Sequence, residues 1–226
     1  MCGRYVLYKE IEEIDHFLGV MERNGEYEPN YNVAPTHVMP VAFSAEDGKR
    51  MLESMHWGFM GWKPKDGKSP FLPINTRDDS LTKKPMWNEA FMQRRCIVPA
   101  NGFYEWTGSR RNKTPHYIHP AEGELMGFAG IYSELAPEGK NAERSYSIIT
   151  TSPNKVMENI HDRMPVILHP SEFNDWLNPD NQDPNFLKEF LKPYPDDAIE
   201  EHRVSKAVGN VRNNGPGLIQ KTDLFG

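Results

Sequence analysis

The sequence predicts a mixed α+β fold built on a largely antiparallel sheet, and three observations carry that expectation. First, 19 prolines and 17 glycines cut the 226 residues into short pieces. Second, strand-like alternation recurs between those breaks, whereas helical periodicity appears only in brief stretches. Third, strands do not alternate with helices of about 10–15 residues, which argues against a doubly wound sheet or an α/β barrel.

Taken in order, residues 2–8 alternate loosely and read as a strand. A helical period starts at Ile11, with Ile11, Ile14, Leu18 and Met21 on one side and acidic residues on the other, and Gly25 and Pro29 close that region. Strand-like runs follow at 38–43, 51–60, 97–106, 116–119, 126–132 and 145–151. Pro85 opens a helix that runs to about Arg94, because the N–H a proline lacks is unused in the first turn. Met86, Trp87, Ala90 and Phe91 form its apolar stripe. Ser152 and Pro153 are the cap and first residue of a second helix. A third starts at Ser171 and buries Phe173, Trp176 and Leu177, and a fourth follows Asp183 with Phe186, Leu187, Phe190 and Leu191. The connections 64–72 and 133–144 are rich in Gly, Pro and charge and read as surface loops, so one domain spanning residues 1–226 is expected.

Composition bounds the function. With 38% hydrophobic and 26% charged residues, the chain is neither disordered nor a fibre. Mean hydropathy is −0.70, and no apolar run approaches the roughly 18 residues of a membrane helix. The N-terminus lacks the basic-then-apolar pattern of a secretory signal, so a cytoplasmic protein is expected, with no membrane partner. The formal net charge of −6 disfavours general coating of duplex DNA but allows a local basic face. Two cysteines support neither a disulfide framework nor an all-thiolate metal site. His116 and His119 fall on opposite faces of a strand, and no nucleotide-loop or zinc motif is present, so no cofactor or metal is expected. Cys96 reads as a buried structural thiol.

Cys2 reads differently. Loss of Met1 leaves a free amine and a thiol on one residue, with ordinary pKa values of about 7.7–8.0 and about 8.5. An aldehyde condenses with the amine, and the thiol then closes a five-membered thiazolidine without a second encounter. An internal cysteine cannot do this, because its nitrogen lies in an amide. Gly3 permits close substrate approach, and Arg4 offers a planar fork for a phosphate or carboxylate.

Five ordered segments then resemble one family. They are Met1-Cys2-Gly3-Arg4-Tyr5; Tyr31-Asn32-Val33-Ala34-Pro35-Thr36; Ile74-Asn75-Thr76-Arg77; the run from Arg94 to Trp106; and Ile160-His161-Asp162-Arg163-Met164-Pro165. Trp57-Gly58 and Val208-Gly209-Asn210 add to the match. The chain resembles the SRAP (SOS response-associated peptidase-like) proteins that process abasic sites. That resemblance implies a barrel-like β core surrounded by short helices, and covalent capture of abasic sites in single-stranded DNA through Cys2. It implies catalytic roles for Cys2, Asn75, Glu105 and His161. DNA contacts are implied for Arg4, Arg77 and Arg163, with the segment at Trp57 near separated strands, and Arg212 joins the basic residues expected to face DNA. It also implies removal of the residue before Cys2, with reversal of the crosslink or cleavage beside the lesion in some members. Thr76 stands where a small residue such as Ala is common, and Asp78 where Glu is frequent.

The chemistry assigns matching roles. Glu105 can shuttle a proton during sugar-ring opening and loss of water, His161 can serve the sugar hydroxyls, and Asn75 can donate and accept at once. Arg94, Arg95, Arg110, Arg111 and Lys113 are further candidates for a positive channel, although Arg94 and Arg95 also suit a helix end. Trp57, Phe59 and Trp62 fit a stacking edge or core alternation equally. The expected partner is single-stranded DNA with abasic sites, including single-strand/duplex junctions, bound by a monomer that is nucleoid-associated on damaged DNA. An N-terminal-nucleophile cysteine amidohydrolase or peptidase, and a noncatalytic single-stranded DNA-binding module, remain as alternatives.

Overall fold

Short strands and shorter helices follow one another irregularly, as the breaks in the sequence require. In the computed structural model, which describes residues 2–61, 72–109 and 112–222, the N-terminal part runs β1 (Tyr5–Leu7), α1 (Ile11–Leu18), β2 (Glu22–Asn24), β3 (Asn30–Val33), β4 (Val38–Ser44) and β5 (Arg50–Trp57). The middle holds β6 (Asn75–Arg77), α2 (Pro85–Gln93), β7 (Arg95–Ala100), β8 (Gly102–Ser109), β9 (Asn112–Pro120), β10 (Met126–Ser133) and β11 (Ser145–Thr151). After it come β12 (Met164–Pro165), β13 (Ile167–Leu168), α3 (Phe173–Leu177), α4 (Pro184–Lys188) and β14 (Ile199–Arg203). Met1, Trp62, Arg110, Arg111 and most of the 64–72 connection lie outside the described residues. No helix among the described residues is long and apolar enough to cross a membrane.

The strands form two sheets. One is five-stranded in the order β14-β9-β8-β1-β3; the other is nine-stranded along β12-β11-β10-β7-β4-β5-β2, with β13 on β10 and β6 on β11. Among the described residues, pairings are antiparallel except β2–β5, β5–β11 and β6–β11. The fold is therefore mixed α+β with a largely antiparallel core. Alternation along β1, β8 and β9 feeds two apolar clusters: Tyr5, Phe103 and Ile118 join the main core, while Val6, Tyr104 and Tyr117 pack under Val204, Val208 and Leu218 of the C-terminal segment.

Three expectations are corrected. The run 97–106 is two strands rather than one. At the buried Asn101 the chain leaves the nine-stranded sheet for the five-stranded one, the turn held by the Tyr8 N–H on Asn101 Oδ1 (2.8 Å) and by Asn101 Nδ2 on Glu124 O (2.5 Å). Gly102 follows because a Cβ there would meet Ile118 O at 2.4 Å. Ser152 caps no helix: residues 155–160 make successive turns, and Asn154 is the anchor, its carbonyl and Oδ1 both accepting the Met157 N–H. Met21 does not extend the face of α1, because Gly19 in the left-handed region ends that helix and leaves Met21 68% exposed.

The helices at Pro85, Phe173 and Pro184 match expectation, and Arg95 ties two of them together. Its 4%-exposed guanidinium donates to Phe91 O and Met92 O at the end of α2, and to Trp176 O and Asn178 O at the end of α3. Burial pulls this arginine down to about 10, and the negative ends of two short helices stand in for a carboxylate. Arg95→Met strands four carbonyls, two of them in fully buried contacts, and is expected to cost about 3 kcal/mol in urea unfolding. A loss under about 1 kcal/mol would show that water replaces the fork.

Candidate functional site

β1 and β8 pair antiparallel with Tyr5 opposite Phe103 and Val6 opposite Gly102. Carried two residues further, the same register sets Gly3 opposite Glu105, which brings the start of the chain alongside the strand that carries the candidate acid–base group. The Tyr104 N–H to Arg4 O bond (3.0 Å) holds that extension in place. Gly3, Arg4, Glu105, Trp106, Lys113 and His161 line a pocket of about 370 Å³.

Cys2 lies beside this pocket, fully buried, with Sγ directed to Arg4 O at 3.7 Å. Burial pushes its thiol well above the ordinary range, and the Glu105 carboxylate pushes it further. Both effects favour the protonated thiol over the thiolate. Glu105→Gln removes the second of the two causes, so the thiolate forms more readily. Alkylation of Cys2 by a small reagent, followed by mass spectrometry, is expected to shift its midpoint to lower pH in that variant. An unchanged midpoint would show that Glu105 does not act on the sulfur.

Asn75 comes from the opposite side. On β6 it pairs with Ile148 of β11, and its Nδ2 donates to Cys2 O at 2.8 Å. Its Oδ1 is buried with no partner among the described residues. Thr76 and Asp78, the two departures from the family pattern, have structural occupations: the Thr76 and Ser147 hydroxyls share a hydrogen bond (2.9 Å), and Asp78 accepts from Arg163 and from Thr151 Oγ1 (2.8 Å).

His161, half-buried, has the Arg163 N–H at 3.1 Å and Asp162 Oδ1 at 2.8 Å, both on Nδ1. The ring accepts the first through an unprotonated Nδ1 and donates to the second through a protonated one, so each neighbour suits one placement of the ring proton. His116, opposite Glu105 on β9, is held between Thr107 Oγ1 (2.9 Å) and Glu201 (2.8 Å) and remains an ordinary strand residue.

The basic residues separate into two groups. Arg4 is half-buried at the pocket, Arg77 is exposed in a two-bond pair with Asp79, and Arg212 is exposed on the C-terminal loop. Arg163 is only 8% exposed; its guanidinium binds Asp78 (2.7 Å) and Thr150 O. That burial weighs against the expected phosphate contact by Arg163: one terminal nitrogen joins the end of β6 to β11, and Nε is buried without a partner among the described residues. The stacking roles expected of Trp57 and Phe59 are corrected by burial. Trp57 is fully buried, donates Nε1 to Ile74 O (2.9 Å) and packs on Tyr5 and Tyr146, while Phe59 packs on Trp87, so neither ring forms a stacking edge. The alternation along this strand records core packing.

A larger cleft of about 1120 Å³ lies beside α1 and residues 194–200, lined by Glu12, Glu13, Glu122, Glu124, Asp197 and Glu200 among others. Its carboxylates repel a phosphate backbone, and β9 puts it a strand's length away, since Lys113 lines the small pocket and Pro120 the cleft. Six of the chain's 32 acidic residues thus line a surface away from the candidate site.

A family model described as SOS response associated peptidase (SRAP) matches residues 1–211. Abasic site processing protein YoqW of Bacillus subtilis is 40% identical over 97% of this chain and 99% of its own length. Abasic site processing protein YedK of Escherichia coli is 32% identical over 97% of this chain and 99% of its own. A crystal structure of a protein from Bacteroides thetaiotaomicron shares the fold, with a TM-score of 0.84 at 23% identity over 98% of this chain and all of that one.

Proposed function

The chain belongs to the SOS response associated peptidase (SRAP) family, and we propose that it captures abasic sites in single-stranded DNA as a covalent thiazolidine on Cys2. One arrangement supports this above all: Cys2, an aminothiol once Met1 is lost, adjoins Gly3 at a pocket lined by a buried carboxylate, an imidazole and a guanidinium, with Asn75 holding the Cys2 carbonyl. An N-terminal-nucleophile amidohydrolase would use the same amine as a base for the thiol and pass through a thioester, so the adduct separates the two. An abasic sugar supplies the aldehyde that a thiazolidine requires.

The steps balance as follows. Glu105 takes the C1′ hydroxyl proton of the closed sugar and returns it to O4′ as the C1′–O4′ bond breaks, giving the aldehyde. The Cys2 amine attacks C1′, and its two protons pass, relayed by Glu105 or His161, to the carbinolamine oxygen, which leaves as water to give the imine. Sγ then adds to C1′ while the thiol proton passes to the imine nitrogen, closing the ring with net loss of one water. Proton transfer by positioned groups is worth about 10²–10⁴-fold in rate. Arg4, Arg77 and Arg212 hold the phosphates. Reversal runs through the same imine, and removal of the leading Met and cleavage beside the lesion belong to the same group of residues.

A missing base removes the unstacking cost of entry, and a single strand or junction avoids distorting a duplex, so these are the preferred substrates. The protein acts as one domain and as a monomer in the cytoplasm. Its barrel-like core is supported by the β5–β11 pairing, which joins the two ends of the run β11-β10-β7-β4-β5.

The test is intact-protein mass spectrometry after incubation with abasic single-stranded DNA. The expected product starts at Cys2 and weighs protein plus DNA minus one water. A thioester with an amide substrate, and no aldehyde adduct, would transfer the site to amidohydrolase chemistry.

A further inference from the structure

The segment Tyr31–Thr36 stands apart from the reacting groups, yet one of its side chains reaches towards them. Asn32, on β3, is 1% exposed. Its Oδ1 accepts from an Arg4 terminal nitrogen at 2.8 Å. Its Nδ2 faces three carbonyls of the C-terminal loop: Val208 (3.2 Å), Asn210 (3.0 Å) and Asn213 (3.0 Å). The same Arg4 nitrogen also donates to Val208 O at 3.0 Å. A single buried amide therefore joins the guanidinium two residues from Cys2 to the loop that carries Arg212.

Only an amide satisfies this junction. A carboxylate could still accept from Arg4 but would turn acceptors toward three carbonyls, and an aliphatic side chain would remove the donor from Asn210 O and Asn213 O and leave Arg4 with Val208 O alone. The loop has a second hold on β3 at its exposed end, where Asn214 Oδ1 accepts the Tyr31 N–H (2.8 Å) and Asn214 Nδ2 donates to Pro29 O (3.3 Å). Within the loop, Asn210 Oδ1 accepts the Arg212 N–H at 3.1 Å, which fixes the backbone from which the Arg212 side chain projects.

We propose that Asn32 is a positioning residue for DNA capture, setting the spacing between Arg4 and Arg212 so that two phosphates of one strand are gripped on either side of the reacting nucleotide. This rests on the capture reading above. Asn32 touches neither the sugar nor the sulfur; it acts through the two arginines.

The experiment is a double-mutant cycle between Asn32→Asp and Arg212→Ala in the full chain. Binding is measured with single-stranded DNA carrying a tetrahydrofuran abasic mimic, which has no aldehyde, at several salt concentrations. Asn32→Asp is expected to weaken binding by about 10-fold and to lower the salt slope by about one, and Arg212→Ala should then add less than about twofold. Crosslinking of aldehyde-bearing DNA at saturating concentration should fall much less than affinity, because the chemical groups are untouched. Independent, additive effects in the cycle, or wild-type binding by folded Asn32→Asp, would overturn the proposal.

Should Asn32→Asp fail to fold, Asn214→Ala releases the same loop from its exposed end and should show the same non-additivity with Arg212→Ala, more weakly. Additivity there overturns the proposal equally. The capture reading fails separately: wild-type protein that binds the mimic but forms no adduct with the aldehyde would refute it while leaving the cycle interpretable.

Discussion

Cys2→Ala is expected to eliminate the denaturation-resistant adduct with abasic single-stranded DNA. Alanine keeps the amine, so an imine still forms and can be trapped by borohydride, but nothing closes the ring. Closure draws on a sulfur held on the same residue, and such intramolecular reactions gain effective concentrations of about 10⁵ M or more, so adduct surviving without reduction should fall by at least about 100-fold. Cys2→Ser separates ring closure from thiol chemistry: an oxygen-containing ring is possible, but it forms more slowly and reopens more readily. Cys2 is fully enclosed, and desolvation and Glu105 both favour its protonated thiol over the thiolate. Denaturing gels with and without borohydride, checked by intact mass, read each stage. A stable adduct in Cys2→Ala would move the chemistry to another nucleophile.

The second large effect separates two arginines that the family motifs treat alike. Arg163→Met is expected to cost about 3–5 kcal/mol in urea unfolding, because it leaves Asp78 and the Thr150 carbonyl without their buried cation. Arg77→Ala is expected to leave urea unfolding nearly unchanged, since Arg77 and Asp79 form a solvent-exposed pair with side chains 52% and 48% exposed. In DNA binding the order reverses. Arg77→Ala should weaken affinity for any sequence and lower the salt slope by about one, as loss of one phosphate contact does. Salt-dependent binding titrations beside urea unfolding of both variants decide the matter. An Arg163→Met chain of full stability with a diminished salt slope would return Arg163 to the DNA interface.

The helices were readable because each repeats a period, and the long strands because each is a run of strand-favouring residues between breaks. Ile14 and Leu18 of α1 and Trp87, Ala90 and Phe91 of α2 fall on one helical face, whereas β4, β10 and β11 are buried almost continuously rather than in alternation. The three-residue strands β2 and β6 and the two-residue strands β12 and β13 are too short to carry a period; each exists because a longer neighbour offers an edge. β7 and β8 were merged for another reason: the Asn101-Gly102 pair is a turn signal inside the run, but apolar strand residues continue on both sides of it, and the break is fixed by partners at Tyr8 and Glu124.

Much of the candidate site was legible in residue chemistry. An aminothiol at position 2, an arginine two places later and the ordered motifs containing Asn75, Glu105 and His161 follow from the order of residues alone, because reactivity of that kind belongs to side chains and to the chain terminus. Which arginine faces outward was not legible. Arg77, Arg163 and Arg212 carry the same charge in sequence, and their different roles come from burial and from Asp78, Asp79 and Asn210, groups brought close by β6, β11 and the C-terminal loop. Trp57 makes the same point with an aromatic ring, where alternation fits core and surface equally until Tyr5, Tyr146 and the Ile74 carbonyl enclose it. Asn32 is the extreme case: its partners lie 28 and about 180 residues away, so its role exists only after β3 and the C-terminal loop have packed together. Local chemistry travels with the residue, whereas exposure, pairing and mutual distance are set by long-range contacts that no single segment encodes.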